Sequence, residues 1–517
     1  MHSFSNKILT IFIFYAIIPV LGFSQNKKVI RAEIETTETA KPFNIVNLGK
    51  NGVLILQRLN EFVDRKTQNW SFTLFNNTLQ KKWFKKIPLS EDFSYQGFGF
   101  NNDTVQLVFY KDEKRSTENN LTIIKFELKK ANYLIYDTLI PDKAKLSSLQ
   151  FFQQIAFFTL ESKTNISLII CDLEKKSFKD ILTENADNMN IESVKIDTLN
   201  KFIYLLIKKE ISKRENSLFL KKYDLSGNVI SSIEITNEDP SRKLISGMIT
   251  ILNNERLCIS GSYNLSDEKQ SNYAETAIFS EAAGLYFMKI ERNILSPIHF
   301  VNFLSFDNIN KYLNKREVSK IKSIQENKTE KEFSLNYLLI EHEVLQKDNK
   351  IVLIAEALYP EYRVISDMSY DYYGRMTPTS RTIFDGYRYT NAFILSLDED
   401  GNTKSKQLFD IWNILTMEIK EKVSVMPLKN ELLLSYNDDG EIVYEKFSED
   451  TSYNADIENL KIEMSYANDK AMLNSSANID YWYGSYYLVY GVQTIKNNSL
   501  ANRSKRTVFY MNKISFE

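Results

Sequence analysis

Nine residues from one stretch have the types and spacing that recognition chemistry uses: Tyr359, Tyr362, Tyr370, Tyr372, Tyr373, Arg375, Arg381, Asp385 and Tyr387. The stretch is YPEYRVISDMSYDYYGRMTPTSRTIFDGYRYTN (359–391), which also holds Tyr389, Arg363, Arg388, Asp367 and Asp371. Tyr presents a large apolar ring with a polar tip, and Arg presents a planar bidentate fork. Binding hot spots combine the two. Sugars stack on such rings and peptides pack on them, so a protein, peptide or glycan contact is expected here. The competing reading is a structural plug over one end or side of the fold.

Other chemistry has less to build on. Glycosidase-type hydrolysis needs two carboxylates in one cleft; Asp367, Asp371 and Asp385 are the ones to test in this stretch. Only His299 and His342 lie beyond the first few residues. That inventory rules out a His-rich metal site. No second His follows His342 at metalloprotease spacing, and no G-x-S-x-G elbow or phosphate-binding Gly-rich loop occurs. The run Asp398-Glu399-Asp400-Gly401-Asn402 looks like the start of a calcium loop, but its twelfth position is Phe409 rather than a bidentate Glu. A hairpin turn is expected there. No metal or cofactor is expected. A second aromatic group, Tyr481, Trp482, Tyr483, Tyr486, Tyr487 and Tyr490, reads as core packing.

The 359–391 stretch has neither helical nor strand period, so it reads as a long loop or an extended hairpin. Long loops in compact domains are usually functional or disordered, and this aromatic density argues against disorder.

What must position it is a repeat. A polar turn followed by a short apolar run begins at Val53, Val105, Ile155, Phe202, Leu257, Ile351, Leu432 and Tyr486, with gaps of 52, 50, 47, 55, 94, 81 and 54 residues. The runs are short and rich in Ile, Val, Phe and Tyr, which are strand signals. A hairpin pattern follows most of them, at 70–89, 121–141, 218–235, 285–303, 393–411 and 442–460. Its turns include Asp224-Leu225-Ser226-Gly227-Asn228 and Asp398–Asn402. About four strands every 40–50 residues is the signature of a propeller blade. The expected fold is an all-β propeller of about eight four-stranded blades. Seven blades with an irregular remainder, two stacked β domains and a β-solenoid are the alternatives. An early strand, KVIRAEIE (28–35), is expected to pair with the terminal run TVFYMNKISF (507–516) and close the ring, since closure removes exposed edges.

The chain thus resembles secreted bacterial β-propeller repeat proteins over nearly its whole length after residue 24. It lacks the Gly-His and Trp-Asp marks of WD40 blades and the Gly-Gly marks of kelch blades. Both long gaps read as insertions. In 307–327, Ile309, Leu313, Ile321 and Ile324 recur at helical spacing and Asp307 stands as a cap, so a short rim helix is expected within 305–335. A docking helix for a partner is the other reading. The second insertion is 359–391.

The first residues, MHSFSNKILTIFIFYAIIPVLGFSQ, place Lys7 before an apolar run that is shorter than the ~20 residues of a membrane span. A leader over 1–24 is expected, with one propeller domain over 25–517; a signal anchor is the competing reading. The chain has 517 residues, 43% hydrophobic and 25% charged, with a net charge of −1 and pI near 6.5. Nothing argues for nucleic-acid binding, which usually shows a basic excess. Cys171 and Cys258 sit in apolar runs and read as buried free thiols. Scarce Gly (15) and Pro (9) leave the turns to Asn, Asp and Lys.

The function expected from these residues is that of an exported, non-catalytic binding or scaffold module. It would act on a protein, peptide or glycan in the periplasm, at the outer membrane or outside the cell. A secreted carbohydrate-active enzyme on the same scaffold is the alternative. A purely structural assembly component is a third reading.

Overall fold

A computed structural model describes residues 30–37, 39–111, 120–138, 145–161, 165–172, 175, 177–185, 189–212, 215–252, 256–265, 282–313, 315–326, 334–335, 337–347, 349–370, 373–448, 457–499 and 505–516. Eight antiparallel sheets follow one another along the chain as blades 1 to 8, at 43–90, 94–138, 145–185, 189–235, 242–302, 338–416, 424–461 and 470–515. Ile30–Glu35 adds the outermost strand to blade 8 and pairs in register from Ile30↔Lys513 to Glu35↔Val508. The expected closure is therefore present, and the fold is an eight-bladed β-propeller. Six blades have four strands. Blades 5 and 6 have six because their first and last strands are each broken in two.

The apolar runs are the second strands of the blades, and their burial explains why they lack alternation. In Val53–Phe62, Leu54 and Leu56 enter the cluster shared with blade 2, while Val53 and Ile55 enter the one shared with blade 8. Both faces are covered, so both must be apolar. One such cluster fills each of the eight junctions between neighbouring blades. Each fully buried aliphatic or aromatic side chain adds roughly 1.5–3 kcal/mol.

Turn chemistry follows the sequence closely. Asn402 donates from its backbone N–H (2.8 Å) and side chain (3.1 Å) to Asp398, and Gly401 takes φ +84°. The Asn402 bonds hold the Asp398 carboxyl well below the usual carboxylate range. Asp224 and Asn228 repeat this turn at 2.8 Å. Gly52, which leads into the second strand of blade 1, is tighter still. It has φ +116°, and a Cβ there would lie 1.9 Å from the Phe75 carbonyl oxygen. Gly52→Ala should destabilise the protein by at least ~2 kcal/mol through backbone strain, read as a lower urea midpoint.

The first insertion forms a helix over Lys315–Glu326 rather than from Asp307. Asn308 takes a left-handed backbone (φ +62°) and starts a separate 3-10 turn at Ile309–Tyr312 without a side-chain cap, so Asp307 caps nothing. Ile309, Leu313 and Ile321 pack onto the blade 5–blade 6 cluster; the side chain of Ile324 lies outside the described residues. Cys171 and Cys258 are buried, free and in different clusters, and burial pushes both thiols up to about 12. Among the described residues no helix is long and apolar enough to cross a membrane.

Candidate functional site

The second insertion is a long two-stranded arm. Strands Lys350–Tyr370 and Met376–Asp398 pair continuously from Lys350↔Asp398 to Tyr370↔Met376. Their inner halves belong to blade 6. Two register shifts, at Ala357/Leu358 and Glu361/Tyr362, mark where the arm leaves the blade. Bulges of this kind bend a strand and re-aim it. Nine further pairs, Tyr362↔Phe384 to Tyr370↔Met376, carry the arm ~30 Å outward at about 3.3 Å per residue.

The root is braced. Tyr389 donates to the Lys420 carbonyl at 2.6 Å, and the short strand Leu415–Thr416 pairs with Tyr387 and Arg388. Tyr359 packs on the blade 5–blade 6 cluster and Tyr387 on the blade 6–blade 7 cluster. Burial, then the Glu361 charge, pushes the Tyr359 hydroxyl up. These two tyrosines therefore anchor the arm.

Beyond the root, alternation sorts the side chains onto two faces. Tyr362, Val364, Met368, Met376, Pro378 and Phe384 share one face. The Tyr362 and Phe384 rings meet at 5.5 Å, and Phe384 and Tyr387 at 5.0 Å. Val364, Met368 and Met376 are 66%, 63% and 59% exposed. The opposite face carries the charges, largely paired across the strands. Arg363 meets Asp385 at 3.0 Å, Arg381 meets Asp367 at 3.8 Å, and Arg388 forms a two-point pair with Glu361. Tyr373 and Arg375 stand exposed at the tip. Tyr372 and Asp371, and the side chain of Tyr370, lie outside the described residues.

Two of the predicted contacts, Arg381 and Asp385, are thus engaged within the arm. Asp367 and Asp385 each face an arginine. The exposed apolar stripe of Val364, Met368 and Met376, which continues the half-buried Phe384, was missed by sequence reasoning. So were Trp412, Leu415 and Met417 beside the root, which are 58%, 39% and 67% exposed. The signal was present as period-2 spacing at Tyr362, Val364 and Met368. It becomes a face only once the partner strand's register is known.

A second set of unassigned groups gathers where the first strands of the blades converge. Neighbouring first strands touch at the junctions of blades 2 and 3, 3 and 4, 4 and 5, and 7 and 8. Glu192 of blade 4 binds Lys208 at 2.5 Å, and Ser246 of blade 5 donates to Glu341 of blade 6 while meeting Ser262 at 2.7 Å. Lys195 of blade 4 reaches Glu343, which lies between the two pieces of the first strand of blade 6, bypassing blade 5. Burial raises the carboxyls of Glu192 and Glu341 above the ordinary range. Acid–base catalysis by paired carboxyls separates their affinities for protons; here burial moves both the same way. Nearby, His342 meets Glu356 at 2.7 Å, and Glu356 also accepts from the backbone N–H groups of Lys422 and Val423 at 2.9–3.1 Å. Among the described residues no group of three or more His, Cys, Asp or Glu is placed to hold a metal ion. Most of the second aromatic group packs in the core, with Trp482, Tyr483 and Tyr490 at the blade 8–blade 1 cluster and Tyr487 in the blade 7–blade 8 cluster, whereas Tyr481 is exposed.

No protein-family model matches the chain, and no curated protein does. Solved structures with a similar fold include the β-propeller domain of the trilobed protease from Pyrococcus furiosus, at 11% identity over 81% of this chain and 94% of that one (TM-score 0.34). Polysaccharide lyase Uly1 is similar at 9% identity over 94% and 92% (TM-score 0.40), and TolB from Acinetobacter baumannii at 9% over 81% and 78% (TM-score 0.29).

Proposed function

We propose that this chain is an exported, non-catalytic β-propeller that binds a protein, peptide or glycan at the cell envelope or outside the cell. Its contact surface is the blade 6 arm, with Tyr362, Tyr373 and Arg375 joined by the apolar stripe. In the same reading, residues 1–24 are a leader removed on export and 25–517 form one propeller. The observation that carries it is the arm's division of faces. Its charges are largely satisfied within the arm, while Val364, Met368 and Met376 are left to solvent. An isolated two-stranded ribbon is marginal in water, and exposed apolar patches mark interaction surfaces. Tyr359 and Tyr387 hold the arm rather than touch the partner.

The test is a variant lacking 362–384, with Glu361 and Asp385 joined by an Asn-Gly turn. It should keep the wild-type circular dichroism spectrum and lose the partners recovered by pull-down or on a glycan array. Unchanged recovery on both would remove the arm from the proposal.

The alternative, a carbohydrate-active enzyme using a carboxylate pair, would draw on Glu192 and Glu341, which gather at the ring centre beside Lys208, Ser246 and Ser262. It expects turnover on a glycan panel that Glu341→Gln abolishes.

A further inference from the structure

Charge is unevenly distributed around the ring. The whole chain carries −1, yet blade 1 (43–90) has eight Lys and Arg against two Asp and Glu, a balance of +6. Blade 7 (424–461) has three against nine, a balance of −6. Half of the basic residues of blade 1 lie on its outermost strand, Lys81–Ser90, whose sequence is KKWFKKIPLS.

Among the described residues this strand's outer edge has no neighbour in the sheet. Trp83 donates to the Leu128 carbonyl at 2.8 Å and stacks on Phe126, which fixes the strand against blade 2. The register shift between Leu74 and Phe75 leaves Lys82 as the extra residue. Lys86 pairs with Glu61 at 2.7 Å, and Lys81 lies over the exposed ring of Phe84 at 4.9 Å. Among the described residues, Lys82 and Lys85 have no carboxylate partner.

Lysines on an edge strand also guard against edge-to-edge pairing. That role does not require four of them. The outermost strands of blades 2 and 4, Asn132–Thr138 and Val229–Ile235, carry no Lys or Arg at all.

We infer that the outer edge of blade 1 binds a linear, sparsely charged polyanion, namely an acidic polysaccharide. Charge complementarity sets the sign. Spacing sets the class: the two lysines without a carboxylate partner, Lys82 and Lys85, are three apart on the strand and stand ~10 Å apart at about 3.3 Å per residue. Duplex DNA presents a charge every ~1.7 Å and is met by dense basic surfaces. A glycan with one carboxylate or sulfate every sugar or two matches a sparse row instead. Alternation sends the lysines to both sides of the sheet edge, so they straddle a chain laid along it, whereas a flat bilayer would meet only part of the row. This surface lies on blade 1 and does not depend on the blade 6 arm.

The test uses polygalacturonate as probe and neutral dextran as blank, with the full chain in both wild-type and variant form. Wild type should be retarded by polygalacturonate in affinity electrophoresis and not by dextran. In Lys82→Gln/Lys85→Gln, the slope of log affinity against log salt should fall by about 1.4, near the ~0.7 per contact of single strands, because a sparse polyanion condenses fewer counterions than duplex DNA. Lys82→Arg/Lys85→Arg should restore it. The control is Lys404→Gln/Lys406→Gln on the outermost strand of blade 6, which makes the same change in net charge and should leave the slope unaltered. An equal loss in the control overturns the assignment, because net charge alone would then explain binding. So does binding to phosphatidylglycerol vesicles in place of polygalacturonate. Loss of a salt-sensitive self-association in the blade 1 variant, with no polygalacturonate binding by wild type, also overturns it and makes the acidic blade 7 of a second copy the partner.

Discussion

Glu356→Ala should lower the free energy of unfolding by roughly 3–5 kcal/mol, the range found when one member of a buried ion pair is removed. Glu356 has no exposed surface, and three donors converge on it: the His342 ring and the backbone N–H groups of Lys422 and Val423. Truncation strands all three. Urea unfolding followed by Trp fluorescence reads the loss. Glu356→Gln keeps one acceptor oxygen and should lose less. The double variant His342→Leu/Glu356→Leu removes the stranded cation but not the two stranded amides, so it should recover only part of the stability. If Glu356→Ala unfolded at the wild-type urea concentration, the junction would not depend on this residue.

The same pair makes stability depend on pH, with a sign that follows from the shift. Burial opposes charge on His342, but the hydrogen bond and charge of Glu356, with the charge of Glu421, outweigh it, so the folded-state pKa is raised. A raised value means that the folded state holds the proton more tightly than the unfolded chain. The contribution is therefore complete below the unfolded value of about 6.5 and is lost as pH rises through the folded value. Glu421, itself raised by burial, shares the site and faces His342, Glu356 and Asp480. The stability gap between wild type and His342→Gln should narrow from pH 6 to pH 9. A gap that widened would reverse the sign.

The second large effect concerns ring closure. Arg506 of blade 8 meets Glu33 of the closing strand at 3.2 Å and Asp469 at 2.7 Å, with the Asp469 side chain fully buried. Arg31 meets Glu33 at 2.8 Å and donates to Asn512 and Gln493 at 2.9 and 2.8 Å. Arg506→Met leaves two carboxylates facing one another across the closure and should cost about 3–5 kcal/mol. The loss should be local first. Amides of Ile30–Glu35 should exchange with deuterium far faster than those of the second strands. Deleting the closing strand altogether exposes the edge of Lys505–Ser515, an open pairing template. That variant should elute as oligomers in size-exclusion chromatography. A monomer with unchanged exchange elsewhere would show that the closing strand is dispensable.

The blade count was legible because each second strand is covered on both faces and announces itself as a short apolar run. All eight runs are second strands. The first strands were hidden. They line the ring centre and mix Glu192, Ser246 and Glu341 with apolar residues, so no period survives. The long gap between the runs at Leu257 and Ile351 reflects the helix and the 266–281 segment together, not the helix alone. The arm was located by composition but not understood from it. Which arginine neutralises which aspartate depends on cross-strand register, and two bulges shift that register by a residue each. Tyr359 and Tyr387 looked equivalent to Tyr362 and Tyr373 in sequence; only packing separates anchors from exposed rings. Contacts such as Lys195 to Glu343 join residues with no shared local pattern, and nothing nearby in the chain foretells them.

The pairing of Ile30 with Lys513 also imposes an order on events during synthesis. Blades 1 to 7 can assemble as the chain emerges, each against its predecessor, as domains tend to do from the N-terminus. Blade 8 cannot, because its outermost strand is made first and must wait for nearly the whole chain. The junction between blades 8 and 1 forms last, and bringing such distant segments together is slow. Until then the molecule is an open crescent with two raw ends. A chaperone that recognises unpaired strand edges would find this protein for as long as its last blade is missing.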